Sequence, residues 1–274
     1  MKVPKIRLND GMDIPQLGYG VWQIADSEAD KAVETALETG YRHIDTAKVY
    51  NNEEGVGRAL KNSSVSRKEI FVTTKLWNSD QGFDNTLKAF DQSMDRLGID
   101  YCDLYLIHWP APMLDQYIES WRAMTQLKNE KRIRSIGVSN FRIADLERLR
   151  RESGLTPAIN QIELHPYFQQ KELRVFHEKH NIATGAWSPI GRGKVLNDPI
   201  LQKIATAHNK TIAQIVLRWH MEIGTIAIPK SINSARMREN FDIFDFKLSA
   251  LDHDLINGLD DKNGRVGPDP SQFS

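Results

Sequence analysis

Asp45, Lys75 and His108 each close a short hydrophobic run, in YRHID, IFVTTK and DLYLIH, and Tyr50 follows Asp45 by five residues. If these runs are strands of one parallel sheet, their ends meet at one edge. A carboxylate, an ammonium, a phenol and an imidazole then converge there, which is a set able to move protons. Taken singly, each residue has a plainer reading. Asp45 and Lys75 would be a structural ion pair, Tyr50 a packing residue and His108 a hydrogen-bonded core histidine.

The elements around these residues decide between the two readings. Strand-like segments are expected near 17–20, 42–45, 70–75, 103–108, 133–139, 159–163, 182–186 and 225–229. Between them, apolar residues recur at helical spacing over 86–97, 117–129, 143–152, 171–180 and 211–222. Ser27-x-x-Asp30 reads as a capping box opening a first helix, with Gly40 at its end. An extra helix is expected near 199–207, and Ser249-x-x-Asp252 opens another. Asn9-Asp10-Gly11, between extended stretches, predicts an N-terminal hairpin.

Eight strands alternating with helices in 274 residues fit the α/β class as a (β/α)8 TIM barrel, with that hairpin and additional helices near the C-terminal end. The whole span, 1–274, is expected to be one domain. An open doubly wound sheet is the rival, but it is usually announced by G-x-G-x-x-G after the first strand. Gly18-x-Gly20 continues into Val21-Trp22-Gln23, and Gly55-x-Gly57 precedes an expected helix without the third glycine. GRGKV at 191–195 is not a phosphate loop either, because Ser188 and Val195 occupy positions that need Gly and Ser/Thr.

Composition narrows the class of partner. Lys plus Arg and Asp plus Glu number 36 each, so no global charge recruits nucleic acid or an anionic membrane. One cysteine, Cys102, excludes an intrachain disulfide and suits a reducing cytoplasm. No signal-peptide pattern and no membrane-length apolar run is visible. His177 and His180, in HEKH, do not form H-E-x-x-H and are expected on a solvated helix face without metal.

At the strand ends stand Trp22, Asp45, Tyr50, Lys75, Trp77, His108, Trp109, Ser139, Asn140, Gln161, Trp187, Ser188, Lys230 and Ser231. A rim of polar groups and tryptophans suits a flat aromatic ligand. The segments GYGVW, GYRHIDTAKVYNNEEGVG, TTKLWN, DLYLIHWP, IGVSNF, NQIELHP, GAWSPIGRG and IPKSINSARMRENFDIFDF, in this order, resemble the aldo-keto reductases. The likeness covers almost the whole chain and is closest in flavour to the short-tailed microbial branch that includes 2,5-diketo-D-gluconate reductases.

That resemblance implies NADPH-dependent reduction of aldehydes or ketones to alcohols, with Tyr50 as general acid. Lys75 and Asp45 would be its tuning pair and His108 the substrate orienter. A free phenol has a pKa of about 10, and a nearby ammonium lowers it. Trp22, Tyr50, Trp77, His108 and Trp109 would frame a small or polar carbonyl, such as a keto acid, a diketone or a diketo sugar acid. Cofactor contacts are implied for Gly20, Val21, Trp22 and Asp45. Ser139, Asn140 and Gln161 would bind the carboxamide, Trp187 would stack on the nicotinamide, and Ser188, Pro189, Ile190 and Gly191 would pass beneath the pyrophosphate. Lys230, Ser231, Ile232, Asn233, Arg236, Glu239 and Asn240 would hold the adenosine end, where two cations favour NADP over NAD. Monomer is the family expectation.

Two departures stand out. Asn51 replaces the glycine that often follows the tyrosine, and the tail GRVGPDPSQFS is short, predicting a relatively open pocket. Two other functions compete: a barrel that senses NADPH and binds a protein partner, and a barrel hydrolase or isomerase. The second leaves the 230–240 segment without a purpose.

Overall fold

The computed structural model describes residues 3–274. It opens with the hairpin, β1 (Lys5–Arg7) paired antiparallel to β2 (Asp13–Pro15), turning through Gly11 at φ 91°. The alternation then runs β3 (Tyr19–Gly20), α1 (Asp26–Thr39), β4 (His43–Asp45), α2 (Glu53–Asn62), β5 (Phe71–Leu76) and α3 (Phe83–Leu97). It continues with β6 (Cys102–Ile107), α4 (Tyr117–Asn129), β7 (Ile133–Ser139), α5 (Ile143–Ser153), β8 (Ile159–Glu163) and α6 (Lys171–Lys179). The last elements are β9 (Ala183–Trp187), α7 (Pro199–His208), α8 (Ile212–Glu222), β10 (Ile226–Ile228), α9 (Ser234–Phe241) and α10 (Ala250–Asn257).

β3 to β10 form one parallel sheet in chain order. A parallel bridge between Leu17 and Ala227 closes it, with the Gly18 and Gly20 amides donating to the Ala227 and Pro229 carbonyls. The expected (β/α)8 barrel is therefore what forms. Gly18 is needed at the seam, since a Cβ there would sit 2.7 Å from both the His43 ring and Ile228. The barrel floor is apolar. Leu8 and Ile14 of the hairpin segment pack under Phe71, Leu104, Leu106, Ile159 and Ile226. Asp10 fastens this plug, accepting from Lys128 Nζ at 2.6 Å and Ser135 Oγ at 2.5 Å. With the N-terminal end of the barrel stoppered, the end carrying the strand C-termini is where a ligand is expected.

Three expectations change. The capping box at Ser27 does not form: the N-cap of α1 is Ala25, two residues earlier, and Asp26 Oδ1 accepts from the Gly55 amide. Gly55 and Gly57 lie inside α2 rather than before a helix. A Cβ on Gly55 would meet the Asp26 carbonyl at 2.4 Å, and one on Gly57 the Leu97 carbonyl at 2.6 Å, so both glycines serve close helix packing. His177 is buried, not solvated, bonded to Asn160 Nδ2 and Thr184 Oγ1. Trp121 and Trp219 are buried core, and Thr211 and Ser249 cap α8 and α10 as capping boxes.

Burial pushes His43 down to about 4 and His177 and His220 down to about 3, so all three are neutral in the fold. Their folded values lie below the ordinary 6.5, so the stability tied to their neutrality is present above pH 6.5 and is lost as pH falls below it. Each histidine contributes a slope of about 1.4 kcal/mol per pH unit in that window. The expected result is a melting temperature that drops steadily between pH 6.5 and 5, before most carboxylates titrate. A flat thermal profile over that range contradicts it.

Candidate active site

The parallel register brings the four reactive side chains together. Asp45 is the last residue of β4, Lys75 the fifth of β5, and His108 follows β6. Tyr50 ends a 3-10 turn, Lys48–Tyr50, and Asn51 takes the left-handed conformation (φ 54°, ψ 37°) that reverses the chain into α2. Asparagine tolerates that region better than most residues, which is how it stands where glycine is common. Lys75, fully buried, donates from Nζ to Asp45 Oδ1 at 2.5 Å and to the Thr46 carbonyl at 2.9 Å. Gln161 Nε2 donates to the other Asp45 oxygen at 2.7 Å. The Lys75 ammonium stands 5.2 Å from the centre of the Tyr50 ring, and Tyr50 meets His108 edge to face at 5.8 Å.

Electrostatics here differ in one respect from the expectation that Lys75 lowers the Tyr50 pKa. Burial raises the Tyr50 phenol, and Lys75 opposes this without overcoming it, so the net direction is upward. The phenol is thus a protonated donor at neutral pH. Burial alone would lower Lys75, but the Asp45 carboxylate and Tyr50 outweigh it and hold the ammonium above its usual range. His108 is pushed well below 6.5 by burial and then by Lys75, so it is a neutral imidazole, with a buried Nδ1 that has no hydrogen-bond partner among the described residues.

These groups lie in a cleft of about 750 Å³ lined by Trp22, Trp77, Trp109 and Trp187 together with Asp45, Tyr50 and His108. Sequence reasoning missed Gln23, Val49, Arg192, Ile228, Pro229, Pro268 and Phe273 on its walls. Arg192 reaches over the Trp22 ring, 4.7 Å from its centre. The short tail does not leave the mouth bare: the Phe273 ring packs 4.5 Å from that of Trp109 and 6.1 Å from that of Trp77. Glu163 pins this tail, its carboxylate accepting from the Val266 amide at 2.5 Å and the Gly267 amide at 2.9 Å.

The second half of the barrel places its residues in two groups. Gly20, Asn140, Gln161, Trp187, Ser188, Pro189, Ile190 and Lys230 line the cleft. Asn140, at φ 64°, donates to the His108 carbonyl and to Ser139 Oγ and accepts from Trp187 Nε1 at 2.8 Å. Val21, Ser139 and Gly191 are buried behind the lining. The exposed shelf of Ile232, Asn233 and Arg236 continues from Lys230 and Ser231 into α9, whose first amides are capped by Asn233 Oδ1. Neither Lys230 nor Arg236 has a side-chain partner among the described residues, whereas Glu239 accepts from Thr211 Oγ1 and Asn240 is buried. Among the described residues no helix is long and apolar enough to cross a membrane.

Residues 15–261 match the aldo/keto reductase family. The chain is 52% identical over 272 residues to the methylglyoxal reductase DkgA of Yersinia pestis, covering 98% of this chain and 97% of that one. Among solved structures, an aldo/keto reductase from Brucella melitensis superimposes with a TM-score of 0.92 at 64% identity, covering 94% of this chain and 100% of that one. An aspartate-to-alanine variant of Gox0644 in complex with NADPH superimposes with a TM-score of 0.97 at 48% identity, over the full length of both chains. With the family matched over most of its length and relatives this similar, the chain belongs to the aldo/keto reductases and is an oxidoreductase.

Proposed function

We propose that this protein uses NADPH to reduce small aldehydes and ketones, methylglyoxal among them, to alcohols. The observation that carries the reading is the buried Asp45–Lys75 pair beside Tyr50 and His108 at the base of an aromatic cleft. The residues fit the cofactor: a flat Trp187 wall, Gly20 where a Cβ would crowd Ile228 at 3.0 Å, and two unpaired cations, Lys230 and Arg236, at the exposed end. When bound, NADPH supplies hydride to the carbonyl carbon.

The chain's own task is the oxygen. Tyr50 donates its proton there as negative charge develops, and the phenolate left behind is stabilised by the Lys75 ammonium. Asp45 keeps that ammonium charged and Gln161 orients Asp45. His108, being neutral, holds the carbonyl by hydrogen bonding without surrendering charge. Trp22, Trp77, Trp109 and Phe273 exclude water and restrict the acceptor to a compact, polar carbonyl. The experiment is loss of NADPH absorbance with a panel of methylglyoxal, keto acids, diketones and bulky aldehydes. Turnover confined to the bulky members, or none at all, overturns the substrate reading.

A charge-assisted contact to phosphate contributes about 1.5–3 kcal/mol, or roughly 10- to 100-fold in affinity. Arg236→Ala is therefore expected to weaken NADPH binding by at least about tenfold and NADH binding hardly at all. Equal weakening of the two, measured by fluorescence titration, removes the assignment of Arg236 to the extra phosphate.

A further inference from the structure

We infer that Asn52 is a positioning residue for Tyr50, an inference that rests on the proposed role of that phenol. Asn52 occupies the N-cap of α2, where an asparagine side chain ordinarily accepts from the helix's own first amides. It makes no such bond. Fully buried, its amide bonds to the segments behind the cleft instead: Oδ1 accepts from Thr46 Oγ1 at 2.9 Å, and Nδ2 donates to the Val21 carbonyl at 2.8 Å and the Ile24 carbonyl at 3.0 Å.

Each of these partners lies next to residues that line the cleft or hold its charges: Val21 and Ile24 flank Trp22 and Gln23, and Thr46 follows Asp45. Thr46 presents the carbonyl that receives Lys75 Nζ at 2.9 Å, and its own amide is fixed to the Thr73 carbonyl of β5. Val21 to Ile24 is the loop carrying Trp22 and Gln23, and the Val21 amide donates to the Asp45 carbonyl at 3.1 Å. One side chain therefore ties together the strand ends that hold Asp45 and Lys75, the loop that walls the cleft, and the start of α2. Tyr50 lies two residues upstream, across the left-handed turn at Asn51. With so short a tether, the place where Asn52 is anchored sets where the phenol stands relative to the ammonium. A helix end that forgoes its own cap is a local rule broken where function gains from it.

Serine caps helices about as well as asparagine but offers no amide donors to reach the Val21 and Ile24 carbonyls. Asn52→Ser is thus the informative variant, with Thr46→Val as the second, since it removes the hydroxyl at nearly constant shape. Both are compared with Tyr50→Phe for kcat, KM, the pH profile of kcat, NADPH affinity and melting temperature, with methylglyoxal as substrate. A misplacement of about 1 Å can cost 10²-fold in rate. The expected result for Asn52→Ser is a fall in kcat of about 10- to 100-fold, with KM and NADPH affinity changed less than about threefold. The alkaline limb of the profile moves to higher pH as Lys75 loosens its hold on the phenol. Thr46→Val shifts kcat and the limb in the same direction by less. If Asn52→Ser does not fold, Thr46→Val decides. A folded variant whose melting temperature falls while kcat and the limb stay in place assigns Asn52 to structure and overturns the inference. If Tyr50→Phe turns over normally, the proposed function falls. If only Tyr50→Phe is impaired, the inference about Asn52 fails and the proposed function stands.

Discussion

Tyr50→Phe is expected to reduce turnover by about 10²- to 10⁴-fold, the range over which a positioned general acid contributes, while NADPH affinity stays within about twofold. The substitution is narrow. Phenylalanine retains the ring that meets His108 edge to face at 5.8 Å and that lies 5.2 Å from the Lys75 ammonium, so packing around the site persists and only the hydroxyl is lost. Burial keeps that hydroxyl protonated, and no other group nearby can replace it. His108 is neutral and held well below 6.5, so it is a poor proton source at pH 7. Lys75 has its ammonium fixed to Asp45 and the Thr46 carbonyl. Full turnover by the variant in steady-state assays, with cofactor binding confirmed by tryptophan quenching, would refute the acid assignment.

How much of this was legible in the sequence depends on the reach of the contact. The barrel strands were readable because they are short, mostly buried runs, several with a polar residue at or just beside the C-terminal end, as with Lys75 in β5 and His108 after β6. The catalytic cluster followed once those ends were aligned. Helix α2 was misread because glycines spaced two apart resemble a loop. Their actual cause is the approach of α1 and of the end of α3, which no local pattern encodes. At the start of α1, where the Ser27 cap was expected, Asp26 is likewise engaged from a distance, by the Gly55 amide of α2, 29 residues away. Phe273 could not have been placed on the cleft from its own neighbours. Its segment is fixed by Glu163, 104 residues earlier than Gly267, and the apolar side chains it meets come from two other loops. The sign of the Tyr50 shift failed for a related reason: a neighbouring charge is visible in sequence, whereas the desolvation that outweighs it depends on what the fold packs around the ring.

Lys75→Met should be the most disruptive change to both fold and activity, and a companion variant separates the two. The ammonium is fully buried and Asp45 almost so. Removing one partner of a buried pair leaves an uncompensated charge, at a cost of about 3–5 kcal/mol. Gln161 alone, through one hydrogen bond to Asp45, does not replace the lost cation. Activity should fall by about 10²-fold or more, because the phenolate formed at Tyr50 loses its counter-charge. Adding Asp45→Asn to Lys75→Met removes the stranded carboxylate, so most of the stability should return while turnover does not. The alkaline behaviour of the wild type provides a second check. The folded pKa of Lys75 lies above its ordinary 10.5, so its ion pair contributes fully below that value and is lost as pH climbs through the folded one. The double variant, lacking the pair, should melt with a shallower decline above pH 10.5 than the native protein. Denaturant titrations at neutral and alkaline pH measure both effects. Recovery of turnover together with stability in the double variant would mean that the pair only supports the fold, and that Tyr50 works without a neighbouring cation.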